Sequence, residues 1–190
     1  MDLNGTTVEQ FYIENARKKR IPINGSMELL PLCNLNCRMC YVRLTVEEVH
    51  ALGGLQAADK WIALGRQMKE AGVLFLLLTG GEPLLFPDFR KLYLELRKMG
   101  FIITINTNGT LVDGNWAEFF GKYRPRRVNI TLYGANETEY AKLCRYPEGF
   151  QKAVQGIRLL RKADVDVKVS CSMTRVNDQS LKQMFAIGDE

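Results

Sequence analysis

Short apolar segments of strand length alternate with longer segments of helical spacing along this chain, and this alternation constrains the fold most strongly. The strand candidates are residues 27–32, 73–78, 101–106, 127–132 and 165–173. The helical candidates are residues 45–71, with an interruption at Gly53 and Gly54, then 87–99, 115–121, 150–163 and 180–187. Because the connections are long enough for right-handed crossovers, the pattern predicts an α/β fold with a parallel sheet and the helices outside it.

Two of the predicted strands have one apolar and one polar face. In residues 127–132, Val128, Ile130 and Leu132 alternate with polar positions that include Asn129 and Thr131. Residues 165–173 alternate in the same way. A parallel sheet that helices cover on both sides is apolar on both faces. The polar face therefore favours an incomplete (β/α) barrel with an occupied lumen over an open doubly wound sheet, and either architecture places its ligand at the carboxyl ends of the strands.

The composition is that of an ordinary globular domain, with 46% hydrophobic and 25% charged residues among 190. No apolar run approaches the roughly 18 residues of a membrane span, and the amino terminus lacks a signal pattern, so we expect a cytoplasmic protein without a membrane partner. The net charge of +5 includes basic clusters at residues 17–20 and 124–127. Such clusters can bind phosphate backbones, but a short solvated run beside a helix end is the commoner explanation, so the charge does not favour a nucleic-acid partner.

Three of the five cysteines, Cys33, Cys37 and Cys40, lie within eight residues after the first predicted strand. A structural zinc site needs a fourth ligand, and His50, Cys144 and Cys171 all lie further along the chain. A disulfide switch needs two thiols, and buried thiols rarely cluster in a polar loop. Thiolates also hold iron–sulfur clusters, and three on a four-iron cluster leave one iron open to a small molecule. The spacing favours this last reading and leaves zinc as an alternative.

The run CNLNCRMCY resembles the Cys-x3-Cys-x2-Cys signature of the radical S-adenosylmethionine (SAM) enzymes. GGEP at residues 80–83 is similar to the second motif of that family, and NTNGT at 106–110 and NITLYG at 129–134 extend the resemblance. It implies a partial (β/α)6 radical SAM barrel with about five parallel strands present and helices outside. Since the family core usually has six strands, we expect residues 1–26 to be an N-terminal extension and residues 27–190 to be a C-terminally incomplete radical SAM core.

The resemblance also implies roles for individual residues. Cys33, Cys37 and Cys40 would ligate a [4Fe-4S] cluster whose unique iron binds SAM. Gly80 and Gly81 would let the backbone approach SAM closely. Glu82 would accept a hydrogen bond from the SAM ammonium, directly or through the backbone around it.

The resemblance implies that further residues lie near the cofactors. Pro83 would stiffen the turn, and Met39 occupies a place where the family often has an aromatic residue near the adenine. Asn129, Thr131 and Ser170 face the predicted lumen, where ribose and carboxylate contacts are usual. Asn108, like Asn106, would serve the cofactor or substrate, or would cap the turn after the third strand.

The activity that the resemblance implies is reductive cleavage of SAM to a 5′-deoxyadenosyl radical that abstracts hydrogen from a substrate. The lead-in IPINGSMELLPLCNLNC is similar to the branch that modifies peptides and proteins and often carries a SPASM domain. We therefore expect a maturase with a peptide or protein substrate and a low-potential electron donor such as flavodoxin or ferredoxin. Cofactor biosynthesis, tRNA modification and a non-catalytic fragment that binds iron–sulfur and SAM are the alternatives.

Overall fold

A computed structural model describes residues 8–189 and places five parallel strands in one sheet. The strands are β1 (Asn24–Glu28), β2 (Phe75–Thr79), β3 (Ile102–Thr107), β4 (Arg127–Leu132) and β5 (Val167–Cys171). They follow one another in chain order, and each neighbouring pair is parallel. Within the described residues the sheet does not close, because β1 and β5 each pair on one side. This confirms the partial barrel.

Eight α-helices accompany the strands in the described part of the chain. They are α1 (Val8–Lys19), α2 (Val46–Ala51), α3 (Ala58–Glu70), α4 (Phe89–Lys98), α5 (Gly114–Lys122), α6 (Glu137–Cys144), α7 (Gly149–Lys162) and α8 (Leu181–Asp189). Between successive strands the chain passes through at least one of them, as parallel pairing requires. Within residues 8–189, none of the helices combines the length and apolarity that crossing a membrane requires.

Local sequence signals start several of these helices. Thr45 accepts a hydrogen bond from the Glu48 N–H, and the Glu48 carboxylate accepts one from the Thr45 N–H, which together form a capping box before α2. Asp113 caps α5 and Asn136 caps α6, and each side chain accepts a hydrogen bond from the N–H three residues later. These caps satisfy N–H groups that no helical carbonyl reaches.

The main core lies between the sheet and the helices. Val128, Ile130 and Leu132 of β4 are fully buried, whereas Asn129 and Thr131 on the other face are half-buried. Strands β3 and β5 follow the same alternation, so the second face of the sheet, which is the inner face of the partial barrel, carries polar side chains. The prediction of one apolar and one polar face is confirmed.

The first strand begins and ends earlier in the chain than predicted. β1 covers Asn24–Glu28 instead of residues 27–32, so the segment expected as an N-terminal extension contains α1 and the first three residues of β1. The sequence NGS has low strand propensity, but pairing with β2 fixes its conformation, and this pairing outweighs propensity. Helix α6 was not predicted either, although Asn136 followed three residues later by Glu139 is a start signal.

Candidate active site

A cleft of about 380 Å³ lies at the carboxyl ends of the strands, on the concave side of the sheet. Binding pockets for small molecules have volumes of roughly 300–1,000 Å³. The residues around it come from the loops after all five strands and from the last residues of β2, β3 and β4. They are Cys33, Leu35, Cys37, Met39, Cys40, Tyr41, Val42, Thr79, Gly80, Gly81, Asn106, Thr107, Asn108, Thr131, Tyr133 and Ser172. The three motif cysteines and both glycines of GGEP thus line one cleft.

The loop that carries the cysteines is attached to the C-terminal end of α6. The Asn36 N–H donates to the Cys144 carbonyl at 3.0 Å, and the Arg38 N–H donates to the Leu143 carbonyl at 2.9 Å. The last carbonyls of a helix have no partner within the helix, so the loop satisfies them. These bonds fix Cys37, which lies between the two donors in sequence.

Two of the three motif sulfurs accept hydrogen bonds from N–H groups. Cys33 Sγ accepts from the Leu35 N–H at 3.4 Å and from Asn108 Nδ2 at 3.6 Å, and Cys40 Sγ accepts from the Arg43 N–H at 3.3 Å. The Cys37 thiol interacts with the Cys144 thiol. The sulfurs of Cys33 and Cys40 therefore lie beside donors, which suits thiolates.

The acidities of the cysteines differ because their surroundings differ. Burial raises the pKa of Cys33 to about 11, although its hydrogen bond from Leu35 acts in the opposite direction. The hydrogen bond with Cys144 lowers the pKa of Cys37, and the same contact together with burial raises the pKa of Cys144. Binding iron as thiolates would remove the protons from the motif cysteines.

The two glycines of GGEP allow a close contact between backbones. Gly80 has a φ of +139°, and a Cβ there would lie 2.5 Å from the Leu30 carbonyl oxygen. A Cβ on Gly81 would lie 2.7 Å from the Leu32 carbonyl carbon. The Gly81 N–H donates to the Leu30 carbonyl at 2.6 Å. The glycines thus place the turn after β2 directly against the segment that leads to Cys33, and they also line the cleft.

Glu82 was expected to serve the SAM ammonium directly or through the backbone around it; its side chain does not line the cleft, whereas the neighbouring Gly80 and Gly81 do. Its side chain is fully buried, and its oxygens accept hydrogen bonds from the Leu84 N–H at 3.1 Å, Thr107 Oγ1 at 2.7 Å and the Asn108 N–H at 2.8 Å. Burial raises the pKa of Glu82 to about 7, although these hydrogen bonds lower it. Its carboxylate joins the turns after β2 and β3 beneath the cleft.

Asn108 connects this buried carboxylate to the cysteine loop. Its Nδ2 donates to Asn34 Oδ1 at 2.9 Å as well as to Cys33 Sγ, and its Oδ1 accepts from the Thr110 N–H at 2.9 Å. Asn34 Nδ2 in turn donates to Thr110 Oγ1 at 2.8 Å. The NTNGT turn therefore positions Cys33 through side-chain hydrogen bonds.

The other residues predicted from sequence divide into two groups. Met39 and Thr131 line the cleft, whereas Pro83 is buried at the start of a short 3₁₀ turn behind it. Asn129 lies lower on β4, donates to Asn106 Oδ1 at 2.8 Å, and lines a second cavity of about 480 Å³ toward the amino ends of the strands. Ser170 is exposed on β5 away from the cleft.

Several residues of the site were missed, and Tyr133, Ser172 and Cys144 are the instructive ones. Tyr133 and Ser172 line the cleft, each two residues beyond a predicted residue on the same strand face. The period-two alternation could have found both, since Thr131 and Tyr133 share a face, as do Ser170 and Ser172. Cys144 had no sequence signal, because its contact with Cys37 depends on how α6 packs.

The donor set fits an iron–sulfur cluster better than a single metal ion. Among residues 8–189, no three His, Cys, Asp or Glu side chains converge closely enough to hold one ion. The three cysteines instead line a common cleft, with N–H donors at the sulfurs of Cys33 and Cys40. A cluster of four irons is larger than one ion, and thiolates spread around it can each bind a different iron.

Comparison with known proteins agrees with this geometry. The chain is 28% identical over 163 residues to the AdoMet-dependent heme synthase of Methanosarcina barkeri, covering 86% of this chain and 46% of that protein. It is 22% identical over 173 residues to the sporulation killing factor maturation protein SkfB of Bacillus subtilis, covering 91% and 41%. Its fold matches the crystal structure of Streptococcus suis SuiB bound to precursor peptide SuiA with a TM-score of 0.73 at 17% identity, covering 94% and 40%.

The chain spans less than half the length of these relatives. The sequence model of the Radical SAM superfamily matches residues 27–186, which include every strand-end loop around the cleft. Members of this family are enzymes that use a [4Fe-4S] cluster and SAM, and these are therefore the cofactors of this chain. The chain belongs to the radical SAM superfamily.

Proposed function

We propose that the cleft at the strand ends binds the [4Fe-4S] cluster through Cys33, Cys37 and Cys40 and binds SAM beside it. The observation that carries this proposal is the convergence of the three motif cysteines with Gly80 and Gly81 on one cleft. When bound, the cluster supplies the electron that cleaves SAM to methionine and a 5′-deoxyadenosyl radical, which takes a hydrogen atom from the substrate.

The chain's own residues bind and orient the two cofactors. The backbone of the Gly80–Gly81 turn and the side chains of Asn108 and Thr131 offer hydrogen-bonding groups to the polar parts of SAM. Tyr133 and Met39 offer apolar surface for its adenosine. Glu82 acts indirectly, because it holds the turns after β2 and β3 together.

For the substrate we propose a peptide or protein, so that the activity is that of a maturase. SkfB is a maturation protein by name, and the SuiB structure holds a precursor peptide, so two relatives of this domain act on or bind such molecules. The open concave side of the sheet, with its second cavity of about 480 Å³, leaves room for a chain segment. We also propose a flavodoxin or ferredoxin as the electron donor.

Cofactor biosynthesis is the second candidate, because the heme synthase of M. barkeri is also among the similar proteins. The basic cluster at residues 124–127 gives little support to tRNA modification. Arg124 pairs with Asp164 at 2.8 Å, and Arg127 pairs with Asp166 at 2.9 Å. The five free cysteines of the chain support a reducing, cytoplasmic location.

The proposal is tested with anaerobically reconstituted protein and a small peptide encoded beside its gene. We expect 5′-deoxyadenosine release to rise when the peptide is added, and the peptide mass to change. The Cys37→Ser variant should do neither, whereas Cys171→Ser should retain both. Release of 5′-deoxyadenosine stimulated by a tetrapyrrole precursor, with no change in any peptide, would favour cofactor biosynthesis instead.

A further inference from the structure

Asn177, in the turn between β5 and α8, is fully buried and belongs to none of the sequence motifs. Its Nδ2 group donates to the Tyr133 carbonyl and to the Ser172 carbonyl, each at 2.8 Å. Tyr133 follows β4, Ser172 follows β5, and both residues line the cleft, whereas Asn177 lies behind them. One buried side chain thus connects two walls of the cleft.

The orientation of the Asn177 side chain is fixed by its own turn. Its Oδ1 accepts from the Thr174 N–H at 2.7 Å and from Thr174 Oγ1 at 3.1 Å. A side-chain amide has two N–H donors and an oxygen with two lone pairs, so every hydrogen-bonding position of Asn177 has a partner. Asn177 precedes the short 3₁₀ turn Asp178–Ser180 but does not cap it through its side chain. The amide therefore serves the link between the two strand ends and not the start of that turn.

The link lies where the pairing of the two strands stops. The register of β4 with β5 ends one residue before Tyr133 and Ser172. The Tyr133 N–H donates to the Tyr140 hydroxyl at 3.3 Å instead of to β5. The carbonyls of Tyr133 and Ser172 are both acceptors, so they cannot bond to each other, and only a group with two donors can join them. The amide of Asn177 is that group.

We propose that Asn177 is a positioning residue for SAM, which acts by holding Tyr133 and Ser172 at a fixed separation across the cleft before the ligand binds. Ordering mobile segments on binding lowers affinity, and a site that already has its bound shape avoids this cost. Without the link, the segments after β4 and β5 move separately, and SAM has to order them. The inference rests on the proposed SAM site.

The test compares anaerobically reconstituted wild type, Asn177→Ala and Asn177→Asp. Aspartate has nearly the same shape as asparagine and keeps an acceptor for Thr174, but a carboxyl group has at most one proton to donate, so at least one contact across the cleft is lost. We expect both variants to hold as much iron as the wild type and to bind SAM about tenfold more weakly. Titration with SAM, followed by electron paramagnetic resonance (EPR) of the reduced cluster, measures the affinity. At saturating SAM the spectra of the variants should match that of the wild type, because the ligand then orders the site.

Two further measurements separate positioning from a general loss of stability. Leu160→Ala is the control, because Leu160 is fully buried on α7 in the main core and its truncation leaves a cavity away from the cleft. It should lower the unfolding midpoint and leave the SAM affinity unchanged. Hydrogen exchange without SAM should be faster in the Asn177 variants at residues 133–136 and 172–176, because the unlinked segments open more often, and SAM should slow it.

The outcomes separate this inference from the proposed function. If both Asn177 variants bind SAM as tightly as the wild type, Asn177 does not position the site and the inference is wrong. An equal loss of affinity in Leu160→Ala would assign the effect to stability and would also overturn it. If alanine prevents folding, the aspartate variant decides, and failure of both to fold would show that Asn177 serves folding instead. A wild type that holds the cluster but does not bind SAM would overturn the proposed function itself.

Discussion

Glu82 is the charged residue whose position most changes the interpretation of the GGEP motif. Its carboxylate lies beneath the cleft and accepts hydrogen bonds from Leu84, Thr107 and Asn108. It therefore fixes the Gly80–Gly81 turn relative to the turn after β3.

Replacing Glu82 with alanine should destabilise the protein as well as weaken SAM binding. The substitution leaves the Leu84 and Asn108 N–H groups buried without acceptors, at a cost of about 1–3 kcal/mol for each donor. Urea denaturation of the cluster-free protein measures the loss. Glu118→Ala, which changes an exposed glutamate on α5, is the matched control and should have almost no effect. A Glu82→Ala protein as stable as the wild type would contradict the buried role.

The raised pKa of Glu82 predicts a pH dependence of stability. In the folded protein the Glu82 carboxyl keeps its proton up to about pH 7, whereas the usual pKa of a glutamate is 4.5. Between these two pH values the folded state therefore binds more protons than the unfolded state. The contribution of Glu82 to stability is then complete below about pH 4.5 and declines as the pH rises toward 7. The decline should amount to about 3 kcal/mol at 1.36 kcal/mol per pKa unit.

The measurement is the free energy of unfolding of the cluster-free protein at several pH values, compared with Glu82→Gln. The variant cannot ionise at this position, so its stability should lack this decline. Parallel curves for the two proteins would show that folding does not raise the pKa of Glu82.

At the scale of elements, the turn after β2 and the loop after β1 form one unit. Gly81 donates to the Leu30 carbonyl, and the Glu82 N–H donates to the Leu32 carbonyl at 2.9 Å. The cysteine loop is held from the other side by the end of α6. The position of the three sulfurs thus depends on three elements that are distant in sequence.

Gly81→Ala should disturb this unit, because the new Cβ would overlap the backbone of Leu32. Overpacking of this kind costs typically about 1–3 kcal/mol. We expect a loss of stability together with weaker SAM binding, measured by denaturation and by equilibrium binding to the anaerobic protein. Gly114→Ala is the control, since a Cβ there meets nothing within 4 Å. If both variants match the wild type in stability and SAM binding, the close approach of the backbones at Gly81 is not required for either property.

Sequence patterns predicted these elements well where periodicity carries the information. The polar face of β4 was predicted because Asn129 and Thr131 alternate with fully buried residues. Which of the polar residues reach the cleft depends on how close each lies to the carboxyl end of its strand. Alternation shows which face a residue is on but not this distance. Thr131 therefore lines the cleft, whereas Asn129 lies below it.

The sequence alone did not predict the contacts between distant segments. The burial of Glu82 results from the turn after β3 closing over it, and the contact of the cysteine loop with Cys144 results from the packing of α6. Neither has a local signature, because hydrogen bonds between elements depend on tertiary geometry.

At the scale of the whole molecule, the sheet separates a structural side from a functional side. Helices and the apolar core occupy one face, and the cleft and the second cavity occupy the other. The cleft is built from the loops after all five strands and the ends of β2, β3 and β4, so a ligand in it would connect segments from Cys33 to Ser172. Binding there should stabilise the fold as a unit.

The most direct test of this account is the EPR spectrum of the reduced, reconstituted protein with and without SAM. If Cys33, Cys37 and Cys40 hold a [4Fe-4S] cluster with one iron open to SAM, saturating SAM should change the spectrum of the reduced cluster, and Cys40→Ser should remove the signal. A spectrum that SAM leaves unchanged, or a cluster that survives the Cys40→Ser substitution, would contradict the site described for this chain.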